Sequence, residues 1–352
     1  MNSITLSSPL VQLTGRVDLS GGSAGFYWPA SSSLVRFHGT TLSVTAQIND
    51  IWGSNALGLV VDGRVSKVPV NKAMNGREQT FLLAENLEAE GEHTVLVYKR
   101  LDCSYSYRLL SFSTDGDFLP PPERPALRLE FYGDSVTSGA CVEAEDYVGR
   151  TDPCSNDAAY DNSWWSYAWQ CARLLGAEVH TTSQGGIAVL NDTGYFHYPD
   201  GIGMVDSWNR LCYFPEAGEY TEWDFSRFVP HAVVFALGQN DQHNARTDAN
   251  DLKCEGEYRT KWKEAYKGIA RGVAGHYPQG TPLVFITTLI RHDPAWDSAI
   301  GEIAAELRAE GYQASQYLFR RNGDGTNGHP RISEQREMAE ELAAYLKQVL
   351  KL

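Results

Sequence analysis

The residue types that first imply chemistry are Gly133-Asp134-Ser135, at the end of the run Leu127-Arg-Leu-Glu-Phe-Tyr-Gly-Asp-Ser-Val-Thr-Ser-Gly139. A serine hydroxyl becomes a nucleophile when it sits on a tight loop at the carboxyl end of a strand, near the start of a helix. Leu127, Leu129 and Phe131 alternate with polar residues as a strand does, Gly133 permits a sharp turn, and Asp134, Ser135 and Thr137 suit the free N–H groups of a starting helix. Three further stretches fall on loops that follow expected strands or precede an expected helix: Gly185-Gly186, Gly238-Gln-Asn240-Asp241 and His329-Pro330. Taken singly, each has a plain explanation: a turn, a helix cap, a surface histidine. Their joint placement on loops at one end of an open α/β sheet is where catalytic groups gather.

The elements that must position these residues divide the chain in two. Residues 1–117 read as a β-sandwich of jelly-roll type. Thr41–Ile48 alternates with Leu42, Val44, Ala46 and Ile48 on one face, Leu57–Val61 runs into the hairpin signal Asp62-Gly63, and Phe81–Leu83, Thr94–Tyr98 and Tyr107–Phe112 supply more strands. Residues 118–125 hold four prolines, at 120, 121, 122 and 125, and read as a stiff connector. Residues 126–352 alternate strands and helices, which predicts a three-layer α/β/α domain with a mostly parallel sheet. Its strands are expected at 178–182, 232–237 and 282–288. Its helices are expected at 163–175, 257–275, 297–310 and 331–351.

A net charge of −14, from 30 basic and 44 acidic side chains, disfavours nucleic acid and anionic membrane as partners and suits a neutral substrate such as a carbohydrate. No apolar run reaches a membrane-spanning length, and no basic and apolar leader is visible at Met1, so a cytoplasmic chain is the expectation, or a secreted one if the N-terminus was trimmed. The six cysteines lack zinc spacing; free thiols are expected, with a Cys141–Cys154 bridge as the oxidising-compartment alternative.

In order and spacing the four stretches resemble the SGNH hydrolases. A jelly roll with Val35-Arg-Phe-His-Gly-Thr-Thr-Leu-Ser43, the proline joint and Thr288-Leu-Ile-Arg-His-Asp-Pro-Ala-Trp-Asp297 narrow the resemblance to carbohydrate esterase family 2. The elbow Gly-x-Ser-x-Gly does not fit, because Thr137 stands in the second glycine's place. The resemblance implies an acetyl esterase acting on acetylated oligo- or polysaccharide, chiefly at the sugar 6-position, with no metal or cofactor. It implies Ser135 as nucleophile, His329 as base, an oxyanion hole from Ser135, Gly186 and Asn240, and Trp296 as the loop aromatic that holds the sugar. Such enzymes commonly carry an aspartate three residues before the histidine, where this chain has Thr326. A backbone carbonyl is therefore expected to orient His329, with Asp324 as the alternative. Two other classes compete: an SGNH esterase or thioesterase for another acyl group, and a non-catalytic carbohydrate-binding protein, which the presence of Ser135, Gly186, Asn240 and His329 disfavours.

Overall fold

The computed structural model describes residues 1–154 and 158–352. They form two compact units, the first from Met1–Arg124, Ala158, Ala159 and Leu211–Thr221, the second from Pro125 onward without those pieces.

The first unit is a β-sandwich. Its strands are β1 (Asn2–Thr5), β2 (Val11–Thr14), β3 (Val17–Asp18), β4 (Ala24–Phe26), β5 (Ser32–Phe37), β6 (Leu42–Asp50), β7 (Ala56–Val61), β8 (Arg64–Pro69), β9 (Glu78–Ala84), β10 (His93–Lys99), β11 (Tyr105–Thr114) and β12 (Phe118–Leu119). One sheet runs β3-β4-β11-β6-β9 with β1 beside β11, and the other runs β12-β5-β10-β7-β8 with β2 beside β5. Alternation decides which face is buried: Leu42, Val44, Ala46 and Ile48 join Val35, Phe37, Val95, Val97, Leu109 and Phe112 in one core. Asp62 and Gly63 both take positive φ, 48° and 81°, as a two-residue turn between β7 and β8 requires.

The proline-rich stretch is less free than its composition implies. Phe118 and Leu119 pair with β5. Arg36 donates to the Pro120 carbonyl at 3.0 Å, Gln12 to that of Pro122 at 2.9 Å, and Arg124 to that of Leu13 at 2.7 Å. Proline carbonyls still accept, so the stretch is laced to the sandwich. Nothing in the sequence marks Leu211–Thr221 as part of this unit, yet Tyr213 stacks on Trp28 at 3.6 Å and Asn49 donates to the Glu216 carbonyl at 3.1 Å.

The second unit is a three-layer α/β/α domain around a parallel sheet of β13 (Leu127–Gly133), β14 (Ala177–Ser183), β15 (Ala232–Ala236), β16 (Leu283–Phe285) and β17 (Ala314–Gln316), in the order β14-β13-β15-β16-β17. Its helices are α1 (Ser135–Ser138), α2 (Tyr167–Leu175), α3 (Met204–Ser207), α4 (Gly256–Ala274), α5 (Pro294–Ala309) and α6 (Ile332–Leu350). Every residue of β15 is buried, as befits a strand covered on both faces. The strand order reverses at β13, so the loops after β13 and β15 flank a topological switch point, the usual crevice for ligands. The helix expected over 163–175 is interrupted because Ser166 adopts an extended conformation and caps α2, leaving 163–165 as a separate 3₁₀ turn. The short edge strand β17, three residues long, lies outside the strands expected from the sequence. No helix among the described residues is long and apolar enough to cross a membrane.

Candidate active site

Ser135 opens α1, a single helical turn directly after β13. Asp134 caps that turn, its Oδ1 accepting the Val136 N–H at 3.0 Å, and Gly139 at φ 82° ends it. The other carboxylate oxygen of Asp134 accepts from Gln239 Nε2 at 2.7 Å, and Gln239 in turn accepts from the Thr288 hydroxyl. The loop after β15 is thereby tied to the base of the nucleophile turn. Burial pushes the Asp134 carboxyl up to about 6, against the Gln239 and Val136 hydrogen bonds that hold it down.

Gly186 and Asn240 lie after β14 and β15, the two neighbours of β13. Asn240 Nδ2 donates to the Ile187 carbonyl at 3.0 Å, joining the two loops next to Gly186. Asp241 strengthens the joint: it is fully buried and accepts from Val189 N–H at 2.7 Å and Trp262 Nε1 at 2.6 Å. Burial pushes its carboxyl up to about 7. Gly186 takes φ 75°, and a Cβ there would meet that of Tyr195 at 2.9 Å, so a side chain is excluded on both counts.

His329 is brought to Ser135 across 194 residues of sequence, Nε2 to Oγ 2.7 Å. The other ring nitrogen, Nδ1, donates to Asp152 Oδ2 at 2.6 Å, and the His329 backbone N–H donates to Asp152 Oδ1 at 3.0 Å. The orienting group is therefore neither of those expected. Among the described residues a carboxylate holds the imidazole, and it comes from the loop after the nucleophile turn. Asp324 is exposed; its N–H closes a turn onto the Arg321 carbonyl. Thr326, in the place of the usual aspartate, is buried and spends its backbone on Leu289 and Arg291. Gly328 explains how Asp152 gets close, because a Cβ there would lie 2.6 Å from the Arg150 carbonyl and 2.7 Å from Asp152 Oδ1.

The electrostatics follow from this pairing. Burial works against charge on His329, but the hydrogen bond and the charge of Asp152 together raise its pKa above the ordinary histidine value. Burial likewise works against Asp152, but His329 and Arg331 hold it well below the usual carboxylate range. The triplet can thus move a proton from Ser135 to His329 while Asp152 stays ionised. Cys141, Asp152 and His329 also bring three donor atoms within 4.8 Å of one another. The Arg331 guanidinium, 2.9 Å from Asp152, opposes a cation there.

Trp296 does not sit where a sugar platform would. It is only 2 % exposed, on α5, packed edge-on against Trp262 at 5.0 Å and Tyr258 at 6.3 Å. With Ala299, Ile300 and Ile303 it forms the buried stripe of a helix, a period of three to four that identifies it as core. An exposed aromatic ring next to Gly186 is Tyr195. It is 47 % exposed, stacks on His243 at 3.9 Å, and its backbone N–H donates to the Gly186 carbonyl at 2.7 Å.

Residues 13–122 match the family described as carbohydrate esterase 2 N-terminal. A cellulase/esterase of Acetivibrio thermocellus is 28 % identical, an alignment covering 97 % of this chain and 40 % of that protein. An acetylxylan esterase/glucomannan deacetylase of Cellvibrio japonicus is 25 % identical over 99 % of this chain and 91 % of that protein. The chain thus spans less than half the length of the first relative and most of the second. A family two carbohydrate esterase from Clostridium thermocellum, solved in complex with cellohexaose, superposes with a TM-score of 0.75 at 26 % identity, covering 97 % of this chain and 99 % of that one.

Proposed function

We propose that the chain is a carbohydrate esterase of family 2, a reading supported by the match over residues 13–122 and by the relatives of 28 % and 25 % identity, and that it hydrolyses O-acetyl esters on the hydroxyls of plant polysaccharide or oligosaccharide such as mannan, glucomannan or xylan, chiefly at the 6-position. The observation that carries this reading is the hydrogen-bonded run from Asp152 through His329 to Ser135, with steps of 2.6 and 2.7 Å. Ser135 Oγ attacks the acetyl carbonyl as His329 Nε2 takes its proton. The N–H groups of Ser135 and Gly186 and the side-chain amide of Asn240 stabilise the oxyanion. Asp152 holds His329 in the tautomer with Nδ1 protonated and stabilises the imidazolium that forms. His329 then protonates the departing sugar hydroxyl, and water repeats the sequence on the acetyl-enzyme. The chemistry asks for no metal or cofactor, and Tyr195, rather than Trp296, offers its ring to the sugar.

The test is acetate release from acetylated mannan, xylan and simple acetylated sugars, with positional analysis of the products. Release is expected from the parent and lost, by more than about 10⁴-fold, in Ser135→Ala. Preferential release of a longer acid would turn the reading toward an esterase for another acyl group. Binding without turnover would turn it toward a carbohydrate-binding protein.

A further inference from the structure

One charged group buried against the base has no part in the steps above. Arg331 follows Pro330 at the start of α6 and is fully buried. Its Nη1 bonds Asp152 Oδ1 at 2.9 Å and the Cys141 carbonyl at 3.2 Å, while among the described residues its Nε and Nη2 have no partner. A buried guanidinium with two unsatisfied donors is a poor source of stability, since desolvation offsets its one ion pair. Its consequences fall on the carboxylate it grips.

We propose that Arg331 is a positioning residue that acts through Asp152, fixing the plane of the carboxylate and neutralising its Oδ1 so that Oδ2 alone faces the imidazole. This rests on the reading of Asp152, His329 and Ser135 given above. Without the guanidinium, Asp152 would be left with its two bonds to His329, and its whole charge would fall on that residue. The imidazole would then hold its proton to higher pH and serve less well as a base. The surroundings make such a counterweight necessary. Asp134 caps the nucleophile turn. Asp161 accepts the Cys141 N–H at 2.7 Å. The charges of both add to that of Asp152 in raising the proton affinity of His329. Around Arg331 itself lie the Cys141 thiol, kept protonated by burial and by Asp161 and Asp152, and two glutamates. Glu334 accepts the Arg331 N–H at 3.0 Å and Glu145 accepts the Ile332 N–H at 2.9 Å. Arginine suits the position better than lysine, because a guanidinium keeps its charge when buried, whereas an ammonium readily loses its proton there.

The experiment is the pH profile of kcat/KM for acetate release. In Arg331→Met the acid limb should move to higher pH by about one unit, a tenfold rise in the proton affinity of the base. Asp152→Asn should move it the opposite way. In the Asp152→Asn background, Arg331→Met should add no further shift, because the group it acts through is gone. A folded Arg331→Met enzyme with an unmoved limb overturns the proposal, as does the same shift persisting without Asp152. Should Arg331→Met fail to fold by circular dichroism, Arg331→Lys is read instead: a smaller shift in the same direction supports the proposal, and an unmoved limb overturns it. Failure of the underlying reading looks different, for Asp152→Asn alone would then leave both kcat and the limb unchanged.

Discussion

The two flanks of Ser135 are built by different means. On the oxyanion side, Gly186 and Asn240 come straight off β14 and β15, and their loops are cross-linked by Asn240 to Ile187, Asp241 to Val189 and Gln239 to Asp134. The parallel sheet fixes this geometry. On the base side, His329 and Asp152 lie on loops 177 residues apart and meet only because Gly328 lets them approach and α6 begins beside them. Each flank also has its own aspartate, and the two are shifted in opposite directions. No cation pairs with Asp241 among the described residues, so burial dominates and pushes its carboxyl up to about 7. Asp152 faces an imidazole and a guanidinium, so its charge is retained. A buried carboxylate is a scaffold in one setting and an electrostatic component in the other, and the neighbouring charges decide which.

The sharpest way to break that comparison is Asp152→Asn. An amide leaves the shape but removes the charge and disturbs the His329 tautomer, so kcat should fall by roughly 10²–10⁴ with the fold intact. A loss of only a few-fold would reduce the site to a serine–histidine dyad. On the other flank, Asn240→Ala removes one oxyanion donor and should lower kcat by roughly 10²–10³. If steady-state kinetics show a rise in KM alone, Asn240 binds substrate and does not act on the transition state.

Tyr195 sharpens the oxyanion flank by asking where the sugar lies. Tyr195→Ala should reduce kcat/KM on an acetylated oligosaccharide by about 3- to 10-fold, the worth of one aromatic face. The rate on 4-nitrophenyl acetate, which has no sugar to stack, should change little. Equal losses on both substrates would show that the ring only props up Gly186. Trp296→Ala should behave differently again, costing about 3–5 kcal/mol of stability as a buried ring removed from the core.

These flanks also differed in legibility. Ser135 follows a run that alternates apolar and polar residues, Gly186 follows Glu178–Thr182 and Asn240 follows the apolar run 232–237, all legible as strands, so the proposed oxyanion loops were readable from periodicity, turn chemistry and family resemblance. His329 was readable by its place before the last helix. Asp152 was not, since loop 141–154 has no period and several acids, and nothing local singles out one of them. The only trace of it is an absence, the missing side chain at Gly328. Trp296 misled for the opposite reason. Its helical spacing with Ala299, Ile300 and Ile303 is plain in the sequence, and it is a core signal. Leu211–Thr221 escaped because its membership of the first unit rests on single contacts such as Tyr213 on Trp28.

The smallest expected effect on catalysis is that of Asp241→Asn, and it tests whether the second aspartate is only scaffold. Asp241 Oδ1 accepts two hydrogen bonds that an asparagine oxygen can keep, and Oδ2 has no partner among the described residues. The amide nitrogen would replace an oxygen that is protonated below about pH 7. The folded-state pKa is raised above the unfolded value of about 3.9, so protonation favours the folded state. That stability is fully present below the unfolded value and is lost as pH rises through about 7. Asparagine does not titrate. Parent and variant should therefore unfold at similar denaturant concentration near pH 4, and the variant should become the more stable of the two as pH passes 7. Its kcat should stay within about threefold of the parent, since no charge near the oxyanion is changed while Asp241 is neutral. A large loss of kcat at pH 6, with the stability profile of the parent, would mean that Asp241 is ionised there and that the two flanks use their carboxylates alike.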